Sequence, residues 1–266
     1  MLFEQLMTVE GLWSIGGESH GIFRLFPKLR AENANLDSGA LSAAHADNKT
    51  AHSFRACFAW LLRDHQGQPL NQMPPESRPP QVTLIEKTPR NALNIPFILE
   101  VFPDARFIYL HREPQANIAS IVEAWAAGLQ TGRFVTFRDL PGWDRPGWCF
   151  LLPPGWRECI GRSLFDIAAF QWAASNEAIL DALPAGRSCM VSYESLVDDP
   201  QASIASVCEF AGVPVPDNIA AQLPLSRTTI SRPASDKWRR YEKEIVALES
   251  RYGPTAKRIR AAAVRS

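Results

Sequence analysis

Three short runs rich in apolar and β-branched residues punctuate the chain: VTLIEK (82–87), RFIYLH (106–111) and SCMVSY (188–193). Each is followed by turn or helix signals. Few polar residues interrupt them, as expected of strands in a parallel sheet covered on both faces. Between them the apolar period lengthens to that of a helix. ALNIPFILEVF (92–102) follows the first run, and PQANIASIVEAWAAGL (114–129) follows the second, with Pro114 at the favoured first-turn position. SLFDIAAFQWAASNEAILDAL (163–183) precedes the third. Leu2, Phe3, Leu6 and Met7 around Glu4 predict a further helical turn over residues 2–7. Alternating β and α segments predict a doubly wound α/β fold. Right-handed crossovers bring the strand C-termini to one edge, where such folds bind ligands.

Two stretches break the alternation. Residues 28–80 read as a helical insertion, with a polar stretch (31–53) and a Pro-rich end, PPESRPP (74–80). Residues 130–157 are rich in Gly, Pro and Trp. They are too apolar for a floppy linker and read as a structured lid or substrate-pocket loop. The charged tail from about residue 239 (RRYEKEIVALESRYG) reads as helical. The 266 residues suit a single domain, 1–266.

Composition narrows the class. The formal net charge is zero, so nothing global points to nucleic acid or a membrane surface, and an anion site must be local. Five scattered cysteines (57, 149, 159, 189, 208) with no CxxC read as reduced, mostly buried thiols of a cytoplasmic protein, with no metal site. No apolar run approaches the ~20 residues that span a bilayer, and residues 1–20 lack the pattern of a signal peptide.

Candidate chemistry gathers where predicted strands end. In FIYLHREPQANIAS, Arg112 stands just past a strand and Pro114 opens a helix. Ser120 shares a helix face with Asn117 and Glu113, so its hydroxyl can point back to the helix start. Guanidinium, hydroxyl and helix-entry N–H groups make a phosphate-sized pocket. The plainer alternative is a surface Arg and a packing Ser. In LIEKTPRNAL, Lys87 ends another strand, Thr88 is a candidate helix cap, and Arg90 and Asn91 lie near the helix start. WSIGGESHG offers Glu18 and His20 as general bases after a glycine turn, or else a loop whose Glu caps a helix. VSYESLVDDP places Tyr193 at a strand end, to stack on a base or to fill the core. LSRTTISRPASDKWRR (225–240), with Lys237 and Trp238, reads as a loop that closes on an anion. GxGxxG, Walker A, HExxH and GxSxG sequences are all absent, so oxidoreductase, kinase, metalloprotease and α/β-hydrolase readings lack their motifs.

In this order the stretches resemble the sulfotransferases that use 3′-phosphoadenosine 5′-phosphosulfate (PAPS), in the bacterial branch related to tyrosylprotein sulfotransferases. The likeness runs through Gly16–Glu18, Glu86–Ala92, Pro103–Pro114, the 130–157 insert, Tyr193–Pro200 and Lys237–Trp238. It implies a P-loop-NTPase-like sulfotransferase fold: a central parallel sheet flanked by helices. It also implies transfer of a sulfuryl group from PAPS to a hydroxyl or amine of a small-molecule or lipid acceptor, without a metal. By position, Arg112 and Ser120 match the family's 3′-phosphate pair, and Tyr193 the position near adenine. Lys237 resembles the late basic residue over the cofactor phosphates. Lys87 matches the lysine at the sulfuryl group. Glu18 resembles the base, with His20 as the second candidate, and Arg90 contacts substrate or cofactor. The family's opening strand and PRSGTT-type loop have no counterpart, and its LLFE helix begins here at MLFE. Two accounts follow. Either the start site is placed late, leaving out roughly 15–20 residues of strand and loop, or the chain is a non-catalytic binding or scaffolding remnant of a sulfotransferase. The first is the expectation.

Overall fold

The computed structural model describes residues 1–32, 36–224 and 236–264. In chain order the elements are α1 (Leu2–Leu6), β1 (Leu12–Trp13), α2 (His20–Arg24), α3 (Asn48–Leu61), β2 (Thr83–Leu84), α4 (Ile95–Val101) and β3 (Phe107–His111). They continue with α5 (Pro114–Thr131), β4 (Val135–Phe137), β5 (Trp148–Cys149), α6 (Leu164–Ala182), β6 (Ser188–Ser192), α7 (Tyr193–Asp198), α8 (Pro200–Ala211), α9 (Glu242–Val246) and α10 (Glu249–Ala263).

The long elements follow their patterns closely. β3 and β6 pair in parallel over five residues, from Phe107 opposite Ser188 to His111 opposite Ser192. α5 starts at Pro114 and stops at Gly132, whose φ of 75° supplies the left-handed cap. Four helix starts carry side-chain caps: Asp47 accepts from Thr50 N–H, Ser163 from Asp166, Ser192 from Ser195 and Asp199 from Ala202. The expected cap Thr88 is not among them. Its side chain makes no cap bond, and Pro89–Leu93 is a 3-10 turn ahead of the shorter α4.

The α/β alternation and the parallel pairing hold, but the sheet is split. β1 pairs with β2 in parallel over two residues, Leu12 with Thr83 and Trp13 with Leu84. Among the described residues no ladder joins this pair to β3–β6. β2 is confined by Pro79 and Pro80 before it and Pro89 after it, which lack the N–H a ladder needs. The 28–80 region is helical only in part: α3 is flanked by loops and single 3-10 turns.

Residues 130–157 form an antiparallel pair, β4–β5, sealed to the body by tryptophans. Trp148 and Trp156 are buried with Trp125, Leu152 and Ile167, and Trp143 packs edge-on to Trp148 at 4.9 Å. Buried Gln171 of α6 ties the segment down. It accepts from Trp125 Nε1 and donates to the carbonyls of Cys149 and Leu151. Trp148 and Trp156 are core, and Trp143 packs against them partly buried. All five thiols are unpaired, three of them buried.

Another apolar cluster sets the relation between the two strand pairs. Leu2 and Leu6 of α1, Val9 and Leu12 pack against Val191 of β6, Leu196 of α7, and Ile204 and Val207 of α8. A further one seats the C-terminal helices: Ile245, Tyr252, Ala256 and Ile259 lie against Ile118, Ala119 and Val122 of α5 and Ala168, Ala169 and Trp172 of α6.

Candidate active site

Two clusters of polar side chains stand at the C-terminal ends of the two strand pairs. The first is built by the loops after β1 and β2. Gly16 takes a φ of 75°, which turns the chain back after the strand. Beyond the turn, buried Ser19 and buried Thr88 lock the two loops together. Ser19 N–H donates to Thr88 Oγ1 at 2.7 Å, and Ser19 Oγ donates to Glu86 Oε1 at 2.7 Å. Thr88 Oγ1 also donates to Glu86, and Asn91 Nδ2 donates to its other oxygen. Glu86 is thus the hub of the two loops.

With Ser19, Glu86 and Thr88 turned inward, their neighbours Glu18 and Lys87 turn outward and meet. Lys87 Nζ donates to Glu18 Oε1, while His20 Nε2 lies 3.1 Å from Glu18 Oε2. His20 is half-buried. Burial lowers its pKa below the ordinary histidine value; Glu18 opposes this, and Arg90 and Arg24 add to it. Arg90 lies flat on buried Phe23, 3.9 Å from the ring centre, and burial pushes its pKa down to about 10. Glu18, His20, Lys87 and Arg90 therefore form one group.

The second cluster sits at the ends of β3 and β6. Arg112 Nη1 donates to Ser120 Oγ at 3.3 Å, and that hydroxyl donates to the Ala116 carbonyl at 2.9 Å. The guanidinium lies over the Tyr193 ring, 4.6 Å from its centre. Arg112 Nε is buried and has no partner among the described residues. An orphaned buried donor beside a hydroxyl fits an anion bound there. Lys237 is tied to the helix that carries Ser120: its ammonium donates to Glu123 Oε2 of α5 at 2.7 Å. Burial lowers its pKa, and the positive charge of Arg112 lowers it further.

At the entry of α5, Glu113 N–H donates to Glu194 at 3.2 Å, and Pro114 has no N–H to offer. Tyr193 backs Arg112 with one face of its ring. Residues 225–235 of the expected anion-closing loop lie outside the described residues.

Glu86 and Glu123 were not among the residues singled out from the sequence. The signal was present in both cases, as an acidic residue inside an otherwise apolar strand or helix pattern. No hydrogen bond or ion pair among the described residues links the first cluster to the second. Nor is any group of three or more His, Cys, Asp or Glu among them arranged to hold a metal ion.

Parallel strands with helical crossovers, and clusters of polar side chains at the strand C-termini, define an α/β protein whose candidate site lies at the carboxyl edge of its strands, where such folds bind ligands. The family model described as "Sulfotransferase family" matches residues 2–145 and 154–217. The chain belongs to the sulfotransferase family.

The fold is shared with a solved structure. The sulfotransferase from Alicyclobacillus acidocaldarius aligns over 100% of this chain and 90% of its own, at 12% identity and a TM-score of 0.52. The sulfotransferase domain of the Synechococcus PCC 7002 olefin synthase aligns over 95% and 89% at 20% identity, with a TM-score of 0.44. The sulfotransferase domain from the curacin biosynthetic pathway aligns at 23% identity with a TM-score of 0.35. That match spans 52% of this chain and 41% of the domain. No curated protein matches the chain.

Proposed function

We propose that the chain transfers a sulfuryl group from PAPS to a hydroxyl or amine of a small-molecule or lipid acceptor. The observation that carries this reading is the meeting of Glu18 and Lys87, a carboxylate and an ammonium in contact at the ends of β1 and β2. PAPS supplies the sulfuryl group, and its transfer breaks a bond to the 5′-phosphate oxygen and makes one to the acceptor. Glu18 takes the acceptor proton, and His20 is the second base candidate. Lys87 leaves Glu18 to neutralise charge on the departing phosphate oxygen, the electrostatic role a cation plays in phosphoryl transfer. Arg90, fixed on Phe23, adds positive charge beside them. Arg112 and Ser120 hold the 3′-phosphate, Tyr193 lines the adenine side, and Lys237 completes the anion site. No metal enters this scheme, because lysine and arginine supply the charge. The five unpaired thiols support a cytoplasmic setting.

The test is a paired measurement on the full chain: binding of adenosine 3′,5′-bisphosphate by calorimetry, and its release from PAPS in the presence of hydroxyl and amine acceptors. Binding together with acceptor-dependent release supports the enzyme. Binding without release favours the non-catalytic remnant if release is still absent once the upstream strand and loop are restored, and absence of binding in both forms rejects both readings.

A further inference from the structure

Glu123 lies on α5 one turn beyond Ser120, so the two share a helix face. Its carboxylate is only 13% exposed, and each oxygen is held by a different cation: Oε2 by Lys237 and Oε1 by Arg240. Both cations come from the turn Lys237–Tyr241, which opens the C-terminal helical unit. That unit is already docked by apolar packing of Ile245, Tyr252 and Ile259 against α5 and α6. Apolar packing thus docks the helices independently of Glu123. What Glu123 does fix is the place of one ammonium. Lys237 feels the charge of Arg112, and two cations confined beside one pocket repel each other. A half-buried lysine has many rotamers that would carry its charge out into solvent. The carboxylate on the Ser120 face opposes both tendencies.

We propose that Glu123 is a positioning residue of the anion site. It holds Lys237 beside Arg112 and Ser120, so that a phosphate monoester meets a pre-placed ammonium. The proposal rests on the reading of Arg112 and Ser120 as the 3′-phosphate pair. Holding the cation in place before binding lowers the ordering cost that the ligand would otherwise meet. Glu123 does not touch the phosphate; it acts through Lys237.

The experiment is calorimetric titration of the full chain with adenosine 3′,5′-bisphosphate at fixed ionic strength. The variants are Arg112→Ala, Glu123→Gln, Lys237→Ala and the double variant Glu123→Gln/Lys237→Ala. Glu123→Gln is expected to weaken binding about tenfold, the scale of one charge-assisted contact, and to change nothing further once Lys237 is alanine. Glu123→Asp, which keeps the charge on a shorter arm, is expected to fall between, and it serves if the Gln variant does not fold by circular dichroism. If the unaltered chain does not bind the nucleotide, the 3′-phosphate reading itself fails. If that chain binds, Arg112→Ala loses binding and Glu123→Gln does not, the positioning role is overturned and the 3′-phosphate reading stands. Tighter binding by Glu123→Gln would mean that the carboxylate competes with phosphate, and equal losses with and without Lys237 would mean that it acts by another route. Either result overturns the proposal.

Discussion

Single residues divide the work between the two clusters. Glu18 is exposed and shared between Lys87 and His20, so replacing it with Gln keeps the shape and removes the base. Glu18→Gln is expected to lower turnover by about 10²–10⁴ while adenosine 3′,5′-bisphosphate binds as before. A parallel fall in binding would make its role structural. Arg112→Ala should show the opposite emphasis, a loss of about 2–3 kcal/mol in nucleotide affinity by calorimetry, because a charge-assisted set of donors is removed. Acid sensitivity also belongs at this scale. Burial holds His20 and His111 below the histidine value of 6.5; Glu18 opposes it at His20, and Glu194 and Glu113 at His111. The folded chain keeps both neutral where the unfolded chain would bind protons. Their contribution to stability is thus complete above pH 6.5 and is lost as pH falls through the folded values. Thermal midpoints should begin to fall below pH 6.5, before carboxylates titrate, and less steeply in His20→Gln and His111→Gln. An unchanged slope in both variants would remove the histidines from the account. These side chains were legible in the sequence because each sits at a strand end or just past a turn. The partners that hold them, Glu86 and Glu123, were not. An acidic residue in an apolar pattern marks each as unusual, but their value lies in contacts with residues 67 and 114 positions away, and the pattern does not say which residues those are.

At the scale of elements, α5 carries the most. It presents Ser120 and Glu123 to the anion site on one face and buries Ile118, Ala119 and Val122 on another. Farther along, Gly128 lets β5 approach. A Cβ there would stand 2.6 Å from Cys149 Sγ and 2.7 Å from the Arg133 carbonyl. Alanine is the better helix former, yet Gly128→Ala is expected to destabilise the fold by about 1–3 kcal/mol through overpacking. Denaturant unfolding would measure it, and a stabilising result would show that the close approach relaxes at no cost. Legibility follows length. β3, β6, α5 and α6 were all readable, because five or more residues are enough to show a period and a capping residue. β1, two residues long, is too short for alternation to appear, whereas β2 was readable as the run 82–87, of which only Thr83–Leu84 forms a ladder. β4 and β5 escaped notice because their tryptophans read as loop chemistry, whereas the pair exists only through packing on α5 and α6.

For the whole molecule, the question is what sets the distance between the proposed base–lysine pair on β1–β2 and the proposed anion pocket on β3–β6. Each cluster is internally bonded, and no ladder spans them among the described residues. The connection runs instead through apolar packing of α1 and β1 on β6, α7 and α8, with Leu6 almost fully buried at its centre. Leu6→Ala is expected to cost about 2–5 kcal/mol, the transfer and cavity terms of a buried leucine. Its functional signature should be uneven. Nucleotide affinity rests on contacts inside the second cluster and should change little. Turnover needs both clusters in register and should fall steeply, since a shift of about 1 Å can cost about a hundredfold. Leu152→Ala, in the separate tryptophan cluster, is the control: a comparable stability loss with turnover largely retained. If Leu6→Ala and Leu152→Ala lower turnover alike, the loss reflects general destabilisation. If Leu6→Ala alone separates turnover from affinity, the α1 packing is what holds base and anion site at working distance.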